Sequence, residues 1–128
     1  MRLFVDTHAL IWYVDQDHLL SSKSHAAISD PKNDLLLSAA TIWEIAIKNG
    51  LGKLTLSQSY RDWIDQAIFD LRLSLLPITV ENCSKQLSLP YHHGDPFDRM
   101  IIAQAMTESI SIVSGDTAFD LYGVTRTW

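Results

Sequence analysis

Two rhythms of apolar positions run along this chain. Short unbroken apolar runs, Leu3-Phe4-Val5 and Leu35-Leu36-Leu37, are of the kind found in strands buried on both faces. Elsewhere apolar residues recur every three or four positions, which predicts helices. Thr7 to Val14 follows the first strand as a helix. Leu19 to Ile28 reads as a second helix, with Ser21 or Ser22 near its start, and Asp30-Pro31-Lys32-Asn33-Asp34 as a turn. Ser38 is placed to cap a third helix, which carries Ile42, Trp43, Ile45, Ala46 and Ile47 and stops at Gly50. Gly50-Leu51-Gly52-Lys53 leads to a fourth, opened by Ser57 or Ser59, with Trp63, Ile64, Ala67, Ile68 and Leu71 on one face. Ser74-Leu75-Leu76 reads as a third strand closed by Pro77. Thr79 opens a helix that runs through Cys83 and Leu87, and Pro90 ends it.

From His92 to Ala105 the pattern turns from loop to helix. Asp95 stands where an N-cap belongs and Pro96 where the first helical residue belongs. Asp98 then falls in the first turn, at the positive end of the helix dipole. Ile110 to Val113 reads as a fourth strand with Asp116 just beyond its carboxyl end, and Tyr122-Gly123-Val124 as at most a short edge strand. No repeat, low-complexity tract or linker interrupts residues 1–128, so one domain is expected. Strands alternating with helices predict an α/β fold: a mainly parallel sheet of four to five strands with helices on both faces.

Composition narrows the function. The chain has 128 residues, 47% hydrophobic and 20% charged, as in ordinary globular domains. No apolar run is long enough to span a bilayer. An acid at position 6 arrives too early for a signal peptide. The single cysteine, Cys83, excludes an internal disulfide, suits the cytoplasm, and in its apolar setting is expected to be an inert packing residue. A net charge of −5 argues against a protein that coats nucleic acid through a basic surface. It leaves room for an enzyme that gathers acids around cations, because bound ions reverse the local sign.

Four acids draw attention. Asp6 and Asp116 each follow an apolar strand, at the edge where open α/β sheets bind ligands. Taken singly, Asp6 serves equally well as a helix cap and Asp116 as a turn acid. Glu44 closes a Thr41-Ile42-Trp43-Glu44 capping box and sits four residues before Lys48, both ordinary surface chemistry. Asp98 opens a buried helix. Together they suggest carboxylates gathered along one sheet edge. Such a cluster repels itself and is tolerated mainly when a cation occupies it. Without a Cys pair or an HxxxH spacing, an all-oxygen set favours a hard ion, Mg²⁺ or Mn²⁺. Metal-assisted hydrolysis of a phosphodiester is the implied reaction, with nucleic acid as substrate.

These residues resemble a known family. Phe4-Val5-Asp6-Thr7-His8-Ala9-Leu10-Ile11-Trp12, Ser38 through Lys48 around Trp43-Glu44, Leu89-Pro90 through Ala105, and Ile112-Val113-Ser114-Gly115-Asp116 are similar to the PIN-domain ribonucleases, specifically VapC-type toxins of bacterial type II toxin–antitoxin pairs. The resemblance implies a three-layer PIN-like fold and a metal-dependent endoribonuclease. It makes Asp6, Glu44, Asp98 and Asp116 the catalytic, metal-holding set. Asp6 and Asp98 would be the most direct ligands, with Glu44 and Asp116 completing the site directly or through water. Thr7 and Ser114 would orient ligands. Asp116 follows Ser-Gly, where the family often has threonine and a non-glycine residue, and is the loosest match. Asp95 is assigned to capping, with a minor ligand role as its alternative.

The resemblance also implies Mg²⁺ or Mn²⁺ as cofactor, an RNA substrate and no membrane. Its protein partners would be a small DNA-binding antitoxin that inserts a basic side chain among the carboxylates, and a second copy of the chain in a homodimer or a toxin–antitoxin hetero-oligomer. The alternatives within the family are a PIN nuclease outside a toxin–antitoxin system, acting in RNA processing or on DNA, and a catalytically weak binding module. A haloacid-dehalogenase-like phosphatase would need an aspartate where His8 stands, and a phospho-receiver a lysine where Gly115-Asp116 stands. Lesser expectations concern neighbours. Arg99 should form a structural salt bridge, His92 and His93 should be plain loop residues rather than RNA contacts, and His8 should be packed or capping. The stripe from Ser59 to Leu71 and the Trp12 region are candidate partner surfaces, though burial in the core is the stronger assignment for each.

Overall fold

The computed structural model describes residues 1–128. Its sheet holds β1 (Arg2–Val5), β2 (Asp34–Ser38), β3 (Ser74–Leu76), β4 (Ser111–Val113) and β5 (Arg126–Thr127). The order is β3-β2-β1-β4-β5 and every neighbouring pair is parallel, so the sheet is wholly rather than mainly parallel. The helices are α1 (Thr7–Asp15), α2 (Ser22–Ser29), α3 (Ala39–Gly50), α4 (Tyr60–Leu71), α5 (Val80–Ser88) and α6 (Pro96–Glu108), with 3₁₀ turns at Asp17–Leu19 and Thr117–Tyr122.

The chain begins in the middle of the sheet, moves outward through β2 and β3, then returns past β1 to build β4 and β5. Strand order therefore reverses at the gap between β1 and β4, the crevice where doubly wound sheets bind ligands. Alternate side chains supply two cores. Leu3, Val5, Leu35, Leu37 and Val113 face Leu10, Ile45, Trp63 and Ile64. Phe4, Leu36 and Ile112 face Ile101, Ile102 and Phe119 on the other side. This two-sided burial is why the strand sequences are unbroken apolar runs. The α4 stripe is core, as the stronger assignment had it: Trp63 is fully buried and its Nε1–H donates to Asp15 Oδ1 at 3.0 Å. Trp12 is half-buried, with Trp128 edge-on against it.

Several local expectations change. The second helix begins at Ser22, because the Ser21 hydroxyl accepts from Ser24 N and starts it there; Leu19 belongs to the preceding 3₁₀ turn. No strand forms at Tyr122–Val124. Asp116 caps a 3₁₀ segment that buries Phe119 and Tyr122, Gly123 turns the chain at φ 78°, and the edge strand starts at Arg126. Cys83 is exposed rather than packed. Helix α5 instead turns Asn82 inward, where its side chain accepts from Thr79 N and from Gln104 Nε2, so Cys83 points away.

Helix α6 ends on Ser109 in the left-handed region, φ 56°. A residue with a Cβ is strained there, and glycine is the usual occupant. Ser109→Gly should raise stability by about 0.5–1 kcal/mol, since relief of strain outweighs the added freedom of the unfolded chain. Urea unfolding with an unchanged slope would measure it, and a lower midpoint would contradict it.

Candidate active site

Asp6 is the first residue past β1. Its backbone N–H donates to Val113 O of β4 at 3.1 Å, and its Oδ1 accepts from Ala9 N at 2.7 Å. It is therefore a helix cap and also stands beside the β1–β4 crevice. The carboxylate is buried, which raises its pKa above the ordinary value, while the Ser114 hydroxyl and the Ala9 N–H pull part of that rise back. Asp116 lies three residues past the end of β4 and is exposed. Its Oδ1 accepts from Ala118 N at 2.9 Å and its own N–H donates to Ser114 Oγ at 3.0 Å.

Glu44 departs from the surface chemistry expected of it. Ser38 ends β2 in an extended conformation, and its hydroxyl accepts from Ala40 N at 3.0 Å. Helix α3 thus starts three residues earlier than a Thr41 cap would require, and Thr41 and Glu44 fall in its body on the inward face. No capping box forms. Glu44 is buried; Thr7 Oγ1 donates to its Oε1 at 2.7 Å and lies 3.1 Å from Thr41 Oγ1. The expected partner Lys48 is present, donating Nζ to Oε2 at 2.5 Å. The Glu44 bond raises the Lys48 pKa, with smaller contributions from Asp95 and Asp98.

Asp95 caps α6 as expected, its Oδ1 accepting from Phe97 N at 2.9 Å and Asp98 N at 3.0 Å, with Pro96 next. Asp98 is an acid under strong electrostatic stress. Burial first, then the negative charges of Asp95, Glu44, Asp6 and Asp116, push its pKa from 3.8 to about 7. Acids from positions 6, 44, 95 and 116 thus act on one carboxyl group. They act through charge rather than contact: no three His, Cys, Asp or Glu side chains converge as a ready-made chelate. A cleft of about 300 Å³ between Tyr13, Ile28, Asp30, Asp34 and Arg72 includes none of them. The donor set nonetheless suits a hard divalent cation: carboxylate oxygens, no thiolate, and several negative charges of which Lys48 pairs directly only with Glu44.

The flanking residues correct the sequence reading in three places. Arg99 forms no salt bridge. It is buried, and its guanidinium donates to the carbonyls of Pro90 (2.8 Å), Gln86 (3.1 Å) and Leu89 (3.3 Å) and to the Tyr122 hydroxyl (3.2 Å), with Tyr91 stacked 3.9 Å away. No acid is needed, because the exposed carbonyls at the end of α5 take its donors. His8 is neither packed nor capping; it is exposed, with its ring 5.7 Å from that of Trp12. His93 is more than a loop residue. Its Nδ1 is 2.7 Å from the Tyr122 hydroxyl and its Nε2 is 3.6 Å from Asp98 Oδ2. The His93-Gly94-Asp95-Pro96 run puts a histidine close before the cap of α6, but its tyrosine partner, 29 residues on, left no mark in the pattern. His92 lies edge-on to the same tyrosine.

A family model described as PIN domain matches residues 3–124. No curated protein matches the chain. Among solved structures the chain is similar to VapBC2 from Rickettsia felis bound to a DNA fragment from their promoter. The TM-score is 0.73 at 14% identity, over 98% of this chain and 97% of that one. It is similar to VapC20 from Mycobacterium tuberculosis, a sarcin-ricin loop cleaving toxin, with a TM-score of 0.68 at 15% identity over 96% of each chain. It is also similar to FitAcB from Neisseria gonorrhoeae, at 0.60 and 17% identity, over 97% and 95%. At such identities the likeness is one of fold.

Proposed function

The chain belongs to the PIN-domain family, and on that premise we propose that residues 1–128 form one PIN domain acting as the metal-dependent endoribonuclease toxin of a toxin–antitoxin pair. The observation that carries this reading is the state of Asp98: one carboxyl pushed up to about 7 by burial, by adjacent Asp95, and by Glu44, Asp6 and Asp116 from distant parts of the chain. Charge crowded in this way is relieved by a proton or by a bound cation, and near neutral pH a divalent ion is the stronger relief. Similarity to a sarcin-ricin loop cleaving toxin and to VapBC2 supports the toxin assignment.

In this reading Asp6 and Asp98 hold the ion most directly, with Glu44 and Asp116 completing its surroundings. Bound Mg²⁺ or Mn²⁺ would make a water nucleophilic near neutral pH and offset charge on the phosphodiester. The protein's own part is to hold the donors in place. Thr7 fixes one oxygen of Glu44 and Lys48 the other. Ala9 N–H holds Asp6 Oδ1, and Asp95 ties down the first turn of α6, which carries Asp98. The partner is a small DNA-binding antitoxin that places a basic side chain among these acids, and the assembled form is a homodimer or a toxin–antitoxin hetero-oligomer. No helix is long and apolar enough to cross a membrane, and we assign the protein to the cytoplasm.

Antitoxin-free protein is expected to cut single-stranded RNA in Mg²⁺ or Mn²⁺ and to stop when EDTA is added. Gel analysis of a defined RNA measures it. Cleavage that continues in EDTA would end the metal mechanism.

A further inference from the structure

Tyr122 determines where the hydrogen of His93 sits. The phenol oxygen accepts from Arg99 Nη1 at 3.2 Å and from the His93 backbone N–H at 3.2 Å. Neither group can take a proton in return, since both are donors only. The hydroxyl hydrogen therefore goes elsewhere, to His93 Nδ1 at 2.7 Å or to the His93 carbonyl at 3.4 Å. The shorter contact takes it. Nδ1 is then an acceptor, and the hydrogen of the neutral ring is on Nε2. A charged ring would carry a hydrogen at Nε2 as well, so no change of protonation is involved. That Nε2 is buried, has no hydrogen-bond partner, and lies 3.6 Å from Asp98 Oδ2.

A buried donor without a partner is costly, and 3.6 Å is longer than a hydrogen bond. A small side-chain rotation that brings the pair to about 2.8 Å would satisfy the donor with a charge-assisted bond. We propose that His93 is the positioning residue of Asp98: Arg99 and Tyr122 orient its ring so that Nε2–H holds the Asp98 carboxylate for the divalent cation. The inference rests on the nuclease reading of Asp98. Its logic is general, because carboxylates around metal ions need an outer hydrogen bond to keep one oxygen free and aimed.

Mn²⁺ binding to the antitoxin-free chain, followed by calorimetry and electron paramagnetic resonance, tests it without substrate. His93→Ala and Tyr122→Phe should each weaken Mn²⁺ binding about 10–100-fold. His93→Gln, whose amide N–H reaches a similar position, should recover most of the loss. Imidazole ¹⁵N shifts of the parent should show Nε2 protonated, and Tyr122→Phe should lose that preference. Unchanged Mn²⁺ affinity in His93→Ala, or a neutral ring protonated at Nδ1, would overturn the proposal while leaving a nuclease whose Mn²⁺ binding still depends on Asp98. A parent that takes up no Mn²⁺ would bring down the nuclease reading, and this role with it. Should His93→Ala fail to fold, the glutamine and phenylalanine variants still decide.

Discussion

Asp98→Asn is expected to lose RNA cleavage by more than about 100-fold, beyond the effect usual for supporting groups around a metal, and at the same time to make the metal-free protein more stable. The two effects share one cause. In the folded chain the Asp98 carboxyl is held at about 7 rather than 3.8 by burial and by four neighbouring acids. Asparagine keeps the shape and removes the charge that is repelled. A gain of even 1 kcal/mol would raise the melting temperature by roughly 3–6 °C in a domain of this size.

The sign of the pH dependence follows. A carboxyl with a raised folded pKa keeps a proton that the unfolded chain releases, so stability falls as pH rises from about 4 to about 7. The slope is at most about 1.4 kcal/mol per pH unit for one group. In EDTA the parent should show this decline and Asp98→Asn should lessen it, leaving the share that comes from the raised Asp6 carboxyl. Mg²⁺ should restore the parent's stability at pH 7 and leave the variant little changed. Circular dichroism melts across that range, beside cleavage assays, provide the measurement. Cleavage within tenfold of the parent would remove Asp98 from the site. A variant less stable in EDTA would refute the repulsion.

Arg99→Ala should be the most damaging change to the fold. The guanidinium closes the carboxyl end of α5, where it donates to the carbonyls of Gln86, Leu89 and Pro90. Its positive charge suits that end of the helix dipole. The same group anchors Tyr122, and so braces the loop that carries His93 and Asp95. Removing it strips donors from the buried Leu89 carbonyl, the part-buried Pro90 and Gln86 carbonyls and the Tyr122 hydroxyl, at about 1–3 kcal/mol for a buried group left unmet, and with the lost packing of the side chain a loss of about 3–5 kcal/mol is expected. Arg99→Lys should recover less than half, because one ammonium cannot reproduce a planar fork directed at several carbonyls. Because its partners are carbonyls and a hydroxyl, added salt should change the loss little. Urea unfolding at low and high salt measures both. A loss under 1 kcal/mol, or one that salt abolishes, would contradict this account.

The comparison of Arg99 with Asp95 indicates what was legible in the sequence. Asp95 is explained by its own neighbours: an acid before proline, two residues from one amide and three from another, meets its partners wherever the helix begins. Arg99 has partners nine to thirteen residues back and twenty-three ahead. An arginine next to Asp98 suggests a salt bridge, whereas its acceptors are the carbonyls at the end of a helix. Glu44 taught the same lesson. Its spacing to Thr41 fits a capping box, but Ser38 had already started the helix, and the residue that finally holds Glu44 is Thr7, 37 positions away.

What the sequence determined by itself was therefore everything governed by the next few residues. Two-sided strands, helix starts at Ser38, Thr79 and Asp95, and acids placed after strands all follow from local periodicity and capping. Only the tertiary structure decided the strand order that opens a crevice between β1 and β4, the inward turn of Glu44, the outward turn of Cys83, and the meeting of Tyr122 with His93. The physical reason is range. Backbone hydrogen bonding and side-chain period act over a turn or two, whereas burial, repulsion among distant acids and the state of a histidine depend on which surfaces the packed sheet brings together.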